Sequence, residues 1–173
     1  MSFYCPNCEK THSGWPSIEF AYPEEYCHMN EKEREVRCFI ISDGLQIDHK
    51  NHAHYYAKAY WPQKVKDSSH VWDWKVWVMV QHQHVIKELR EGVIPVAAAS
   101  LQSNFPWYGS NFLKFPVEIM YDCEHNFPIV TKMIIEKTTI NKDFTEGLPL
   151  EIATDWSKDI VENGQWQCDG KAN

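Results

Sequence analysis

His49-x-x-His52-x-His54 crowds three imidazoles into one short polar segment. The aromatic run from His54 to Trp61 reads as a strand, so positions 52 and 54 share a face and His49 sits in the turn before it. Three neutral imidazoles can hold zinc with one position open to water, which is the chemistry of metal-dependent hydrolysis. A plainer reading, three histidines at a turn and a sheet edge, is preferred because no His-Glu-x-x-His signature accompanies them.

Cys5-Pro6-Asn7-Cys8, with His12, Gly14 and Pro16 behind it, forms half of a zinc knuckle. Two thiols three apart can reach one ion from a tight turn, at about 2.3 Å per Zn–S bond. No second Cys-x-x-Cys exists, so a structural zinc on Cys5, Cys8 and His12 needs a distant fourth ligand. Cys38 is the first candidate; Cys27 and His28 follow. The alternative is a pair of small apolar cysteines in a turn. A thioredoxin-like role is disfavoured, since that motif follows a strand, whereas this one begins at residue 5. Asp122-Cys123-Glu124-His125 contains a thiol and an imidazole, but side chains so close in sequence project differently. His82 and His84 do not face each other on a helix and read as surface or cap residues. With no Gly-x-Ser-x-Gly elbow either, no catalytic residue is assigned.

The elements that must position these groups read as α+β. Pro23, followed by Glu24 and Glu25, suits the first turn of a helix running to about Arg34. Val36 to Ser42 is strand-like, and Asp43-Gly44 is a hairpin dipeptide leading into Leu45 to Asp48. The strand from His54 should stop at Pro62. Val71 to Val80 is the strongest strand, with Trp72, Trp74, Val76, Val78 and Val80 on one face at period two. Its other face is mixed, so Trp77 is expected to be partly exposed. Gln81 to Glu91 has helical spacing and ends at Gly92. Val96 to Leu101, Pro116 to Tyr121 and Ile129 to Lys137 are further strands. Leu150 to Val161 is a last helix, with Ile152, Trp156 and Ile160 in register. Strands arriving as hairpins favour a mainly antiparallel sheet with two or three helices and a cysteine-knuckle N-terminus, all in one domain over 1–163. Residues 1–22 form its knuckle segment and 164–173 a flexible tail. Trp77, Trp107 and Tyr108 are the candidate binding surface, because aromatic rings offer large apolar area with a polar tip.

Composition narrows the function classes. The chain has 173 residues, 43% hydrophobic and 14% aromatic, which is enough for a packed core. A net charge of −7 disfavours nucleic acid, and seven glycines carry no phosphate-binding loop. Acidic runs are solvated helix faces or a docking surface for a basic partner. No signal-like start and no membrane-length apolar run occur, so a cytoplasmic protein with no membrane contact and with reduced cysteines is expected.

Several stretches, in order, resemble the bacterial domain of unknown function 2199 family. They are Tyr4-Cys5-Pro6-Asn7-Cys8 with His12, Gly14 and Pro16, the acidic segment ending at Arg34, Ser42-Asp43 with Ile47-Asp48, Tyr55 to Trp61 with Pro62, and Trp74 to Val78. The likeness covers roughly residues 3 to 80 and continues more weakly to about 160. It implies a small cytosolic bacterial domain with a cysteine-bearing N-terminus and no established activity. Where that family typically reads Ser-Asp-x-Cys-x-Ile-Asp, this chain has Leu45, which removes one candidate fourth ligand. Lys58 stands where the family tends to have arginine, which weakens a bidentate anion contact there. The expectation is a non-catalytic module that binds a partner protein, an immunity or inhibitor role against a basic toxin being one version. The alternative is a metal-dependent hydrolase on His49, His52 and His54.

Overall fold

The computed structural model describes residues 2–5, 9–103, 105, 107–108, 114–136 and 138–162. In chain order the elements are β1 (Ser2–Cys5), β2 (Lys10–Ser13), β3 (Ile18–Glu19), α1 (Glu24–Cys27), α2 (Glu31–Arg37), β4 (Cys38–Ile41), β5 (Gly44–Asp48), β6 (Ala53–Gln63), β7 (Trp72–Val80), α3 (Val85–Arg90), β8 (Ala97–Leu101), β9 (Pro116–Asp122), β10 (Phe127–Met133), α4 (Thr139–Glu146) and α5 (Leu150–Glu162). β1 and β2 form a two-stranded hairpin, and the other strands follow the order β3-β7-β8-β9-β10-β6-β5-β4, with β7 also pairing β6. Most of the pairings are antiparallel; β10 on β6 and β3 on β7 are parallel. The expected α+β class with a mainly antiparallel sheet is therefore what the chain forms, with five helices among the described residues rather than two or three. No helix among the described residues is long and apolar enough to cross a membrane.

The chain divides into two compact units. One comprises Met1–Glu19, Trp61–Lys75 and Lys137–Asn173. Its centre is aromatic: the Trp74 ring lies 5.3 Å from both Trp61 and Trp72, and Trp61 meets Phe144 at 5.7 Å. Trp72 Nε1 donates to the Pro16 carbonyl at 2.6 Å, and Gln63 Nε2 donates to the Asp143 carbonyl at 2.7 Å. Each wholly buried side chain of this size contributes about 1.5–3 kcal/mol. α4, which the sequence reading does not assign, starts at Thr138, whose side chain accepts from Asn141 N–H, and its buried residue is Ile140. On α5 the buried residues are Ala153, Ser157 and Ile160; of the expected register Ile160 is buried, Trp156 is half-buried and Ile152 is exposed.

The second unit comprises Phe20–Tyr60 and Val76–Glu136. Here the expected first helix is broken in two. Asn30 accepts from Glu33 N–H while the Glu33 carboxylate accepts from Asn30 N–H, a capping box that starts α2 afresh. α2 then takes in Val36 and Arg37, the first two residues of the expected strand. β4 and β5 pair as a hairpin whose turn is Ser42-Asp43, with Gly44 already in the strand. β6 passes through Pro62 instead of stopping there, since the fixed φ of proline is compatible with extended backbone. The alternation on β7 holds: Trp72, Trp74, Val76, Val78 and Val80 are all buried. Trp77 is also buried, at 6% exposed, which corrects the expectation for the mixed face. It packs with Met29, Leu45, Ile47 and Tyr56, and its Nε1 donates to the Phe20 carbonyl at 2.9 Å.

Candidate metal centre

The three histidines converge. His49 follows β5, His52 precedes β6 and His54 lies on it; His49 N–H donates to the His52 carbonyl at 2.8 Å and closes the turn between the strands. The His49 and His52 rings stack at 4.6 Å and 5°. One ligand nitrogen from each of the three imidazoles lies within 4.8 Å of the others. His54 and Tyr56 share a face of β6, as period two requires, and both point to the helical side where Glu25 sits.

Glu25 is the member that local sequence could not supply. α1 presents it, and α1 is held in turn by α2: Arg34 donates to the Tyr26 and Cys27 carbonyls at 3.1 and 3.2 Å, covering the C-terminal carbonyls of that short helix. The guanidinium also lies 4.7 Å from the centre of the Tyr26 ring. Glu24 N–H donates to the Gln102 carbonyl at 2.8 Å and fixes the other end. The Glu25 carboxylate thereby becomes a hub. Its Oε1 lies 2.9 Å from His49 Nε2, its Oε2 lies 2.8 Å from His54 Nδ1, and Oε2 also accepts from the Tyr56 hydroxyl.

Arg37 decides the His49 tautomer. Its Nε donates to the Asp48 carbonyl at 2.7 Å and its Nη2 lies 3.1 Å from His49 Nδ1. A guanidinium has no acceptor, so Nδ1 accepts and the His49 proton sits on Nε2, aimed at Glu25. Protonation follows this geometry. Partial burial pushes the Glu25 carboxyl up, but the hydrogen bonds from Tyr56 and His54 and the histidine charges outweigh it, and the net shift is downward. His49 is also shifted down, by burial first and then by His54, Arg37 and His52, against the pull of Glu25. Tyr56 is pushed far up by burial and by Glu25, so it remains a donor.

The remaining expected positions are scattered. The Cys5 side chain and Cys8 lie outside the described residues, as do Cys168 and the tail. His12 is on β2, stacked on Phe3 at 5.4 Å. Cys38 caps α2, its thiol 3.6 Å from Met29 Sδ, and burial, resisted by Arg37, pushes that thiol up. Cys27 is exposed, and His28 pairs with Glu24 at 2.8 Å on the surface. Leu45 is an apolar core residue beside Tyr56 and Trp77. Trp107 and Tyr108 are half-buried, with Tyr108 set edge-on to buried Phe105 at 6.3 Å. Asp122 and His125 pair at 2.7 Å in the exposed β9–β10 turn, while His82 meets Glu88 at 3.7 Å on the surface. Sequence reading missed Glu25, Arg37 and Tyr56 as partners of the histidines, and no local spacing connects them.

A family model, described as an uncharacterized protein conserved in bacteria, matches residues 4–148. No curated protein and no solved structure gives a significant match to the chain. The matched span contains Glu25, Arg37, the three histidines and Tyr56, and on its extent the chain belongs to the bacterial domain of unknown function 2199 family.

Proposed function

We infer that this domain binds one divalent transition metal, zinc by ligand preference, at His49, His52 and His54, with the Glu25 carboxylate beside the ion as a base, and that it is built for metal-dependent hydrolysis. The observation that carries this reading is the compactness of the three imidazoles: His49 Nε2 and His54 Nδ1 lie 3.1 Å apart, one nitrogen of each of the three lies within 4.8 Å of the others, and the Glu25 oxygens stand 2.8 and 2.9 Å from His54 and His49. Ligands in a tetrahedral zinc shell with bonds of about 2.0–2.1 Å lie roughly 3.3 Å apart, so small outward shifts suffice. Three imidazoles would leave a fourth position for water, whose acidity a bound metal would raise, and Glu25, ionised at neutral pH and oriented by Tyr56, would be the group to take its proton.

Elemental analysis of purified protein tests the reading, with zinc titration of wild type against the His52→Ala, His54→Ala double variant. One equivalent lost in the double variant supports the site, and unchanged metal content ends it. Hydrolysis is tested by assaying simple carboxylic and phosphate esters with the zinc-loaded protein. No turnover above the double variant would leave a structural metal only.

A protein-binding module is the second reading, favoured by the end strand of the sheet. β4 pairs only with β5 among the described residues, and Ile40 on it is 92% exposed, with Val36 and Phe39 exposed beside it. A basic partner would suit the −7 charge. Ile40→Lys should then abolish association with whichever partner the wild type retains. Retained association would remove β4 as the contact.

A further inference from the structure

Arg37 borders the histidine cluster without belonging to it. It stands in the last turn of α2 and is half-buried. Its Nε donates to the Asp48 carbonyl at 2.7 Å, and its Nη2 lies 3.1 Å from His49 Nδ1. Both contacts use one edge of the guanidinium, the edge that Nε shares with Nη2. The other edge, Nη1 with the second hydrogen of Nη2, meets no protein acceptor among the described residues. One fork of a planar, permanently charged group is thereby held in place and left open.

Nor does a carboxylate pair with this cation among the described residues. The other arginines are engaged: Arg90 with Asp43 at 2.9 Å, Arg34 with two carbonyls and the Tyr26 ring. The Glu25 oxygens are taken by His49, His54 and Tyr56. The Asp48 carboxylate accepts from Gln46 Nε2 at 2.7 Å. The chain has a net charge of −7, yet this half-buried arginine beside the histidines lacks a carboxylate of its own. The missing partner is an anion from outside the chain.

We propose that Arg37 is the substrate-binding residue of the metal centre and that the substrate is a phosphate ester, an inference that rests on the metal reading above. The open fork takes two oxygens of the phosphoryl group in bidentate fashion. A carboxylate would use both of its oxygens on that fork, whereas a tetrahedral phosphoryl group keeps a further oxygen to face the ion. Metal on His49 Nε2 also leaves the ring proton on Nδ1, against Arg37, which then loses that acceptor and gains from an anion. Zinc and the phosphoryl group therefore bind cooperatively. Hydrolysis consumes one water and yields the alcohol together with inorganic phosphate, or with a monoester when the substrate is a diester.

Phenylphosphonate, which cannot be hydrolysed, is the probe, and its uncharged dimethyl ester is the control. Each is titrated by calorimetry into the full chain with saturating zinc. Phenylphosphonate should bind at least about tenfold more tightly than the ester, the expected size of a charge-assisted contact. Arg37→Met should weaken phenylphosphonate by about tenfold, leave the ester unchanged and retain one equivalent of zinc. Arg37→Lys restores the charge without the fork and should fall between the two. A merely structural role would not produce a loss confined to the anion. Undiminished phenylphosphonate binding in Arg37→Met overturns the proposal, and so does equal affinity for phenylphosphonate and ester. A variant that loses zinc as well would make Arg37 a support of the histidine loop, which also overturns it. Should Arg37→Met fail to fold, Arg37→Lys carries the same test. Zinc content separates the two inferences: zinc bound without a phenylphosphonate preference removes the phosphate ester and leaves the metal centre, whereas no bound zinc ends both.

Discussion

Tyr56 donates its hydroxyl hydrogen bond to Glu25 Oε2, joining α1 to β6 across 31 residues. Tyr56 is almost wholly buried, so its phenol has little access to water as an alternative partner. Tyr56→Phe keeps the ring and deletes this one donor. It should lower stability by about 1–2 kcal/mol at neutral pH, read from the midpoint of urea denaturation, because the acceptor is ionised and partly buried. An unchanged midpoint would mean that Glu25 regains an equivalent donor from solvent.

Acidification should weaken the metal-free fold in two stages. The folded pKa of His49 lies below its ordinary 6.5, so the unfolded chain binds a proton there first, and stability declines as pH drops below about 6.5. The folded pKa of Glu25 also lies below its ordinary 4.5, so its contribution is complete above that value and is lost as pH falls through the folded one. Denaturation curves from pH 8 to pH 3 should show both. His49→Gln should flatten the upper window and Glu25→Gln the lower. A stability that rises on going from pH 7 to pH 5 contradicts the assignment.

Arg37 and zinc compete for His49. A metal on Nε2 moves the ring proton to Nδ1, where it meets the Arg37 N–H group. Arg37→Met should therefore raise zinc affinity, by roughly tenfold on the scale of outer-shell effects at metal sites, measured by competition with a chromophoric chelator. Weaker binding in this variant would show that Arg37 positions the His49 loop through Asp48 more than it opposes the ion.

Gly44 has no room for a side chain. A Cβ built there would overlap the Tyr56 carbonyl oxygen on the neighbouring strand. Gly44→Ala should cost at least about 2 kcal/mol or prevent folding, since the close neighbour is backbone and cannot rotate away. Thermal denaturation measures it. A variant of wild-type stability would require the β4–β5 turn to rearrange.

How far the sequence carried depended on the range of each signal. Period-two alternation on β7 is written into adjacent residues, and it was legible. So were the β9–β10 pair and the Gly92 ending of α3, whose glycine has φ 71°. The split between α1 and α2 depends on Asn30 and Glu33 bonding each other, a local cue outweighed by the continuous helical composition around it. Trp77 is buried although its strand face looks mixed, because Met29 from the α1–α2 link and Leu45 and Ile47 from β5 cover it. The convergence of the histidines could be foreseen from their spacing. Glu25 could not, since its acidity had a sufficient local explanation at a helix start.

β6 places His54, Tyr56 and Lys58 on one face and Tyr55, Ala57 and Ala59 on the other. The metal centre thus takes His54 and Tyr56 from one row of alternate residues. Insertion or deletion of a single residue between His49 and Ala53, if absorbed by sliding β6 along β5, would turn His54 and Tyr56 to the opposite face together and take both away from Glu25. Natural length variation in this chain should accordingly be found elsewhere, with the short connection from β5 to β6 held at constant length.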